Sequence, residues 1–265
     1  MNQTALCVAI SALALATSAS AVTLDELKTD GPYTIVSENL PGSGYGKATI
    51  HAPKTGGSYA LVAVCPGFVS PESSITQISK RLATHGFSVV TIGTRTLLDF
   101  PSSRASQILA ALDAGSKVSS GNAAGKVDAS RMVASGWSMG GGGTLLAAAK
   151  TPKLKAAVAY APWNLSSSAF RSITVPTIIF GATGDTIAGV DTFSKPFYDA
   201  IPDTTRKALA VLEGDNHFFP NTAADPVSYT NIAWNKRFAD GNTQYKPFIQ
   251  NLDAKWASYE TNGSF

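Results

Sequence analysis

Met132-Val133-Ala134-Ser135-Gly136-Trp137-Ser138-Met139-Gly140 carries an apolar, strand-like run into glycines and then into the helix-like Thr144-Leu145-Leu146-Ala147-Ala148-Ala149-Lys150. Gly136-x-Ser138-x-Gly140 has the form of a nucleophile elbow, a tight strand-to-helix turn that lifts a serine hydroxyl clear of a sheet edge. The serine backbone in such a turn is strained, and a Cβ two residues to either side would crowd it, so glycine suits both flanks. A glycine-rich turn with an incidental serine has the same letters. The flanking strand and helix signals favour the elbow, and the rest of the chain must supply its partners.

Working outward, strand and helix patterns alternate. Tyr33 to Val36 and Lys47 to His51 read as short antiparallel strands, and Tyr59 to Cys65 as a buried one. Ile75, Ile78 and Leu82 fall at helical spacing within Ser74 to His85. Phe87 to Ile92 is a strand pattern, and Pro101 opens a helix through Ala111. After the elbow come strands at Ala156–Tyr160, Ile178–Phe180 and Leu209–Leu212, with helices near Pro196–Ile201 and Tyr229–Arg237. Such alternation predicts an α/β fold, a mainly parallel sheet with helices on both faces.

An elbow serine needs a base and an acid that orients it, in the chain order Ser, Asp or Glu, His. Of three histidines, only His217 follows Ser138. It lies just beyond the apolar run Ala208 to Leu212, in a loop after a strand. His85, in Thr84-His85-Gly86, reads as a helix C-terminus, where a histidine suits the dipole. His51 reads as a surface residue at a strand end. For the acid, Asp185 stands in the loop that follows the strand Pro176-Thr177-Ile178-Ile179-Phe180. Asp191, Asp199, Asp203 and Asp215 are its rivals, although Asp199 falls in a helical segment and Asp215 is too near His217 for an easy bridge. Two backbone amides are expected to hold an oxyanion: Met139, next to the nucleophile, and Phe68, in the loop after Tyr59–Cys65.

Composition bounds the rest. The chain has 265 residues, 44% of them hydrophobic and only 15% charged, with a formal net charge of +3. Mild basicity without Lys/Arg clusters argues against nucleic acid as a partner. The first 21 residues, apolar around Ala12 to Ala16 and ending Ala19-Ser20-Ala21, read as a secretory signal, although Lys and Arg are missing from its start. That stretch is too short and alanine-rich for a membrane anchor. The expectation is an exported protein, extracellular or periplasmic, with residues 22–265 forming one domain. Its one mature cysteine, Cys65, ends a strand and reads as a packed small hydrophobe, so no internal disulfide forms. No Cys/His cluster has metal-ligand spacing, and no cofactor is expected.

Further stretches carry a family resemblance. They are Pro66-Gly67-Phe68 with Ser73-Ser74-Ile75, Pro101-Ser102-Ser103-Arg104, Val127-Asp128 and Gly136 to Gly143. Ala161-Pro162-Trp163, Val175-Pro176-Thr177, Asp185-Thr186-Ile187-Ala188 and Trp234-Asn235-Lys236-Arg237-Phe238 complete the set. Over nearly all the mature chain the sequence resembles the bacterial cutinase-like polyester hydrolases, α/β-hydrolases that include enzymes degrading poly(ethylene terephthalate). The resemblance implies an α/β-hydrolase fold, a secreted serine esterase and an open, lidless cleft; a monomer is expected. It places the triad on Ser138, Asp185 and His217 and the oxyanion amides on Phe68 and Met139. Trp163 would line the acyl site, with Phe68, Trp137, Ile187 and Phe193 as further substrate-binding wall positions. Short-to-medium acyl esters and hydrophobic polyesters are the implied substrates. A lipase or small-ester esterase is the main rival reading, and a non-catalytic binding protein on the same fold is a third.

This chain also departs from that family. Both cysteines of the usual C-terminal disulfide are missing around Phe248-Ile249-Gln250 and Asn262 to Phe265, which predicts an unfastened segment after Phe248. Ala182 and Phe219 stand where some members carry an active-site disulfide. Only Glu213, beside Thr183 and Ala257, matches the acidic calcium ligands of thermostable members, so no metal is expected. Phe193 replaces the smaller or imidazole side chains of relatives.

Overall fold

The computed structural model describes residues 21–250, 255–263 and 265. The expected signal segment lies, except for Ala21, outside the described residues. One nine-stranded sheet organises the chain: β1 (Ile35–Asn39), β2 (Lys47–Pro53), β3 (Tyr59–Cys65), β4 (Ser88–Gly93), β5 (Val127–Trp137), β6 (Ala156–Tyr160), β7 (Thr177–Ala182), β8 (Lys207–Leu212) and β9 (Trp256–Thr261). Their spatial order is β1-β2-β4-β3-β5-β6-β7-β8-β9. Strands β3 to β8 are mutually parallel, while β1, β2 and β9 run antiparallel at the two edges. This is the mainly parallel α/β sheet expected, and its parallel strands all deliver their C-terminal ends, and the loops after them, to one rim.

Alternation along each strand sends side chains to two cores. In β3, Ala60, Val62 and Val64 face one core and Leu61, Ala63 and Cys65 the other. The first is closed by α2 (Thr76–Thr84), through Ile78 and Leu82, and by a C-terminal helix at Val227–Phe238, through Ile232 and Trp234. The second is closed by α3 (Pro101–Ser116), α4 (Met139–Lys150) and α5 (Lys195–Ala200). The C-terminal helix is α6 here, and a short N-terminal α1 (Leu24–Lys28) carries a capping box between Thr23 and Glu26. Pro101 begins α3 at the position where its missing N–H is harmless.

Several sequence expectations need correction. His51 is no surface residue: it is 2% exposed on β2, with Nδ1 2.7 Å from Ser37 Oγ on β1. His85 does end α2, but its ring is buried, with Nε2 2.9 Å from Thr29 O. Burial pushes its pKa down, so it serves as a hydrogen-bonding group rather than as a cation on the helix dipole. The segment after Phe248 is not unfastened. Strand β9 pairs with β8 from Ala208↔Thr261 to Leu212↔Trp256, and Phe265 is buried against the rings of Trp234 and Phe238. Cys65 is fully buried, and burial raises its thiol pKa to about 11, as a packed hydrophobe's would be.

Candidate active site

Strand β5 runs up to Trp137 and α4 begins at Met139, which leaves Ser138 as the single residue of the turn. Its φ of 59° and ψ of −121° lie outside the regions open to an ordinary L-residue, at a cost on the order of 1–3 kcal/mol. Three backbone bonds hold it there. Ser138 N donates to Tyr160 O at 2.9 Å, and Ser138 O accepts from Gly142 N at 3.0 Å and Trp163 N at 2.9 Å. The flanking glycines are a matter of space. A Cβ on Gly136 would sit 2.5 Å from Gly140 O, and one on Gly140 would sit 2.3 Å from Cys65 O. Both distances are impossible contacts, so neither position admits alanine without moving backbone.

The loop after β8 brings His217 over Ser138, with Nε2 2.9 Å from Oγ. The loop after β7 brings Asp185 to the other ring nitrogen, Oδ2 to Nδ1 at 2.7 Å. Asp185 Oδ1 accepts from the amides of Ile187 at 2.8 Å and Ala188 at 2.7 Å. Burial alone would raise the Asp185 pKa, but the His217 hydrogen bond and these two amides outweigh it and hold the carboxyl below its usual range. An ionised carboxylate only accepts, so Nδ1 must carry the proton and a neutral ring offers its lone pair at Nε2 to the serine hydroxyl. All three residues are buried. Among the rival aspartates, Asp199 and Asp203 are engaged by Lys195 and Lys207. Asp191 is exposed, and the Asp215 carbonyl accepts from Gly184 N.

The Phe68 loop lies against the serine: a Cβ on Gly67 would come within 3.0 Å of Ser138 Cβ. Met139, the first residue of α4, carries one of the helix's unpaired N-terminal amides at its positive end. A serine with a hydrogen-bonded base, beside amides that can receive negative charge, is suited to attack a carbonyl and hold the resulting oxyanion.

The walls are apolar and partly unforeseen. Phe68 and Ile187 are exposed. The Trp163 ring lies 6.1 Å from Phe193 and 6.4 Å from Phe100 between centroids. Trp137 is corrected: at 2% exposure it is no wall. Its ring centroid lies 5.4 Å from that of His217, and its Nε1–H donates to His217 O at 2.8 Å, so it packs against the histidine instead of facing solvent. Phe218 and Phe100, each 52% exposed, were missed. The available signals were the paired phenylalanines after His217 and an aromatic ahead of the helix-opening Pro101. Thr183, one of the three places weighed for calcium, uses its hydroxyl to accept from Gly214 N at 2.7 Å. Among the described residues no group of three metal-ligating side chains is found, and no helix is long and apolar enough to cross a membrane.

Comparison with known proteins identifies the family. The PET hydrolase-like family matches residues 17–262. Cutinase 1 of Thermobifida cellulosilytica is 44% identical over 222 residues, 83% of this chain and 84% of that protein. Cutinase est2 of Thermobifida alba is 44% identical over 222 residues, 83% of this chain and 74% of that protein. A bis(hydroxyethyl) terephthalate hydrolase of Streptomyces coelicolor is 42% identical over 224 residues, 83% of this chain and 71% of that protein.

Proposed function

Because the chain belongs to the PET hydrolase-like family, we propose that it is an exported, single-domain ester hydrolase working through an acyl-serine intermediate. The observation that carries the reading is the unbroken hydrogen-bonded chain Asp185–His217–Ser138. Ser138 Oγ attacks the ester carbonyl while its proton passes to His217 Nε2. Asp185 keeps Nδ1 protonated and stabilises the imidazolium. The carbonyl π pair moves onto oxygen, which the Phe68 and Met139 amides receive. Collapse of the tetrahedral adduct breaks the C–O bond, and the leaving alkoxide takes the proton back from Nε2. Water then repeats the sequence on the acyl-enzyme and releases the acid. No step needs a cofactor.

The relatives named cutinase and bis(hydroxyethyl) terephthalate hydrolase support esters of hydrophobic acids and polyesters as substrates. The apolar rim of Phe68, Ile187 and Trp163 suits the same class. A small-ester esterase is the second reading, favoured by Phe193 closing on Trp163. Release of p-nitrophenol from p-nitrophenyl butyrate, then of monomers from a polyester film, separates the two. Ser138→Ala should lower kcat by about 10⁴-fold or more with little change in Tm. Activity retained within about tenfold would remove Ser138 from the mechanism.

A further inference from the structure

The carbonyl of Pro66, two residues before Phe68, is a meeting point. On one side α4 approaches so closely that a Cβ on Gly140 would stand 2.4 Å from it. On the other, Arg104 of α3 donates to it from Nη1 at 3.0 Å. The same guanidinium donates from Nη2 to Leu97 O at 3.1 Å and from Nε to Asp99 O at 2.6 Å. Arg104 is 0% exposed. A fully buried guanidinium is expensive to desolvate and contributes little net stability, so its use on three main-chain carbonyls suggests a geometric purpose.

The backbone beside Phe68 shows what that purpose is. Val69, a β-branched residue, has φ 54°, a left-handed conformation such residues rarely adopt. Its amide donates to Leu97 O at 2.9 Å, the carbonyl that Arg104 also holds. The 96–99 turn is closed in its own right by Asp99, which accepts from Thr96 N and from Gln107 Nε2 on α3. Phe68 is thus gripped on both sides, at Pro66 directly and at Val69 through Leu97.

We propose that Arg104 is the positioning residue of the oxyanion loop, its planar fork holding the Phe68 amide in register with Ser138. The inference rests on the esterase reading above and adds to it the residue that sets the loop. Strained backbone of this kind persists only where its surroundings over-determine it, and Arg104 is the side chain that joins the Pro66, Leu97 and Asp99 carbonyls around it. Loss of that fork lets the amide drift by a fraction of an ångström, which matters most when charge develops on the carbonyl oxygen.

The test compares wild type, Arg104→Met and Arg104→Lys in p-nitrophenyl butyrate hydrolysis and in binding of an alkyl trifluoromethyl ketone. That ketone adds Ser138 Oγ at its carbonyl carbon, gives the serine proton to His217 and leaves an oxyanion. Arg104→Met should lower kcat by about 10²-fold with KM within about threefold, weaken the ketone in proportion, and leave the pH midpoint of kcat/KM in place. Arg104→Lys, which can reach one or two of the three carbonyls, should recover part of the loss. If Arg104→Met fails to fold by circular dichroism, the lysine variant decides, with a fall of about tenfold in kcat and in ketone affinity expected. A folded variant with kcat and ketone affinity within about threefold of wild type overturns the inference, as does a loss carried by KM or by a moved pH midpoint. A wild type inactive on the ester defeats the esterase reading itself, a separate failure.

Discussion

Asp185 shows how a single side chain ties function to stability. Its carboxyl is held below the usual range, because the His217 ring and two amides outweigh the cost of burial. A depressed folded-state pKa contributes stability that is complete above the ordinary value of 3.8 and is lost as pH falls below it. Asp185→Asn should therefore cut kcat by roughly 10⁴-fold and flatten the acid limb of Tm plotted against pH below about 4. An unchanged acid limb would mean the carboxylate is not held as described. Phe193 offers a test of breadth. Its ring touches both Trp163 and Phe197, and such pairs are worth about 0.5–1.5 kcal/mol each beyond burial. Phe193→Ser should raise hydrolysis of an aromatic polyester film relative to p-nitrophenyl butyrate; a drop in Tm with no change in that ratio would make Phe193 a packing anchor only. Ser138, His217 and Asp185 could be picked out from the chain because each stands in a short loop after a recognisable strand. The buried Trp137 could not. Whether the last residue of a strand points to solvent or under its neighbour depends on the loop that covers it, here the one from β8, far along the chain.

Among the elements, the β1–β2 hairpin side of the sheet carries an acid-sensitive joint. His51 sits inside it with its ring against Ser37, and burial first, then the charge of Lys80, lowers its pKa to about 4. The unfolded chain takes up a proton near 6.5, the folded one only near 4. Stability is therefore full above about pH 6.5 and falls as pH drops toward 4, by about 3 kcal/mol in all. Replacing the ring by His51→Gln should remove most of that slope in Tm between pH 7 and 4, with a remainder from His85, whose pKa burial also lowers. A slope equal to wild type would place the acid sensitivity elsewhere. The parallel strands and their helices were legible because each buries a continuous apolar face. β9 was not, since Trp256 to Thr261 alternate weakly at a sheet edge where only Trp256 is buried. His51 was misread for a related reason: β1 covers it, and that pairing is set by the sheet, not by its sequence neighbours.

At the scale of the molecule, the described residues hold the C-terminal segment by packing and strand pairing, with no disulfide among them. Cys65 is the one cysteine among the described residues and is a free thiol. The terminal Phe265, 4% exposed, plugs the aromatic cluster of Trp234 and Phe238, with centroids 5.1 and 5.7 Å away. Truncating it by Phe265→Ala should cost about 3 kcal/mol and bring early amide exchange to β9, measured by hydrogen exchange. Unchanged protection of β9 would show that its pairing with β8 suffices. Among the described residues eight large apolar side chains are exposed, and they share one place. Phe68, Val69, Leu97, Leu98, Phe100, Leu165, Ile187 and Phe218 all lie in loops that follow the C-terminal ends of parallel strands, at the rim that holds Ser138. Such a body is an amphiphile, with one oily pole and a polar remainder. At an oil–water or plastic–water boundary its free energy is lowest with that pole turned down. Adsorption would then act as an aiming device, landing the molecule reactive end first.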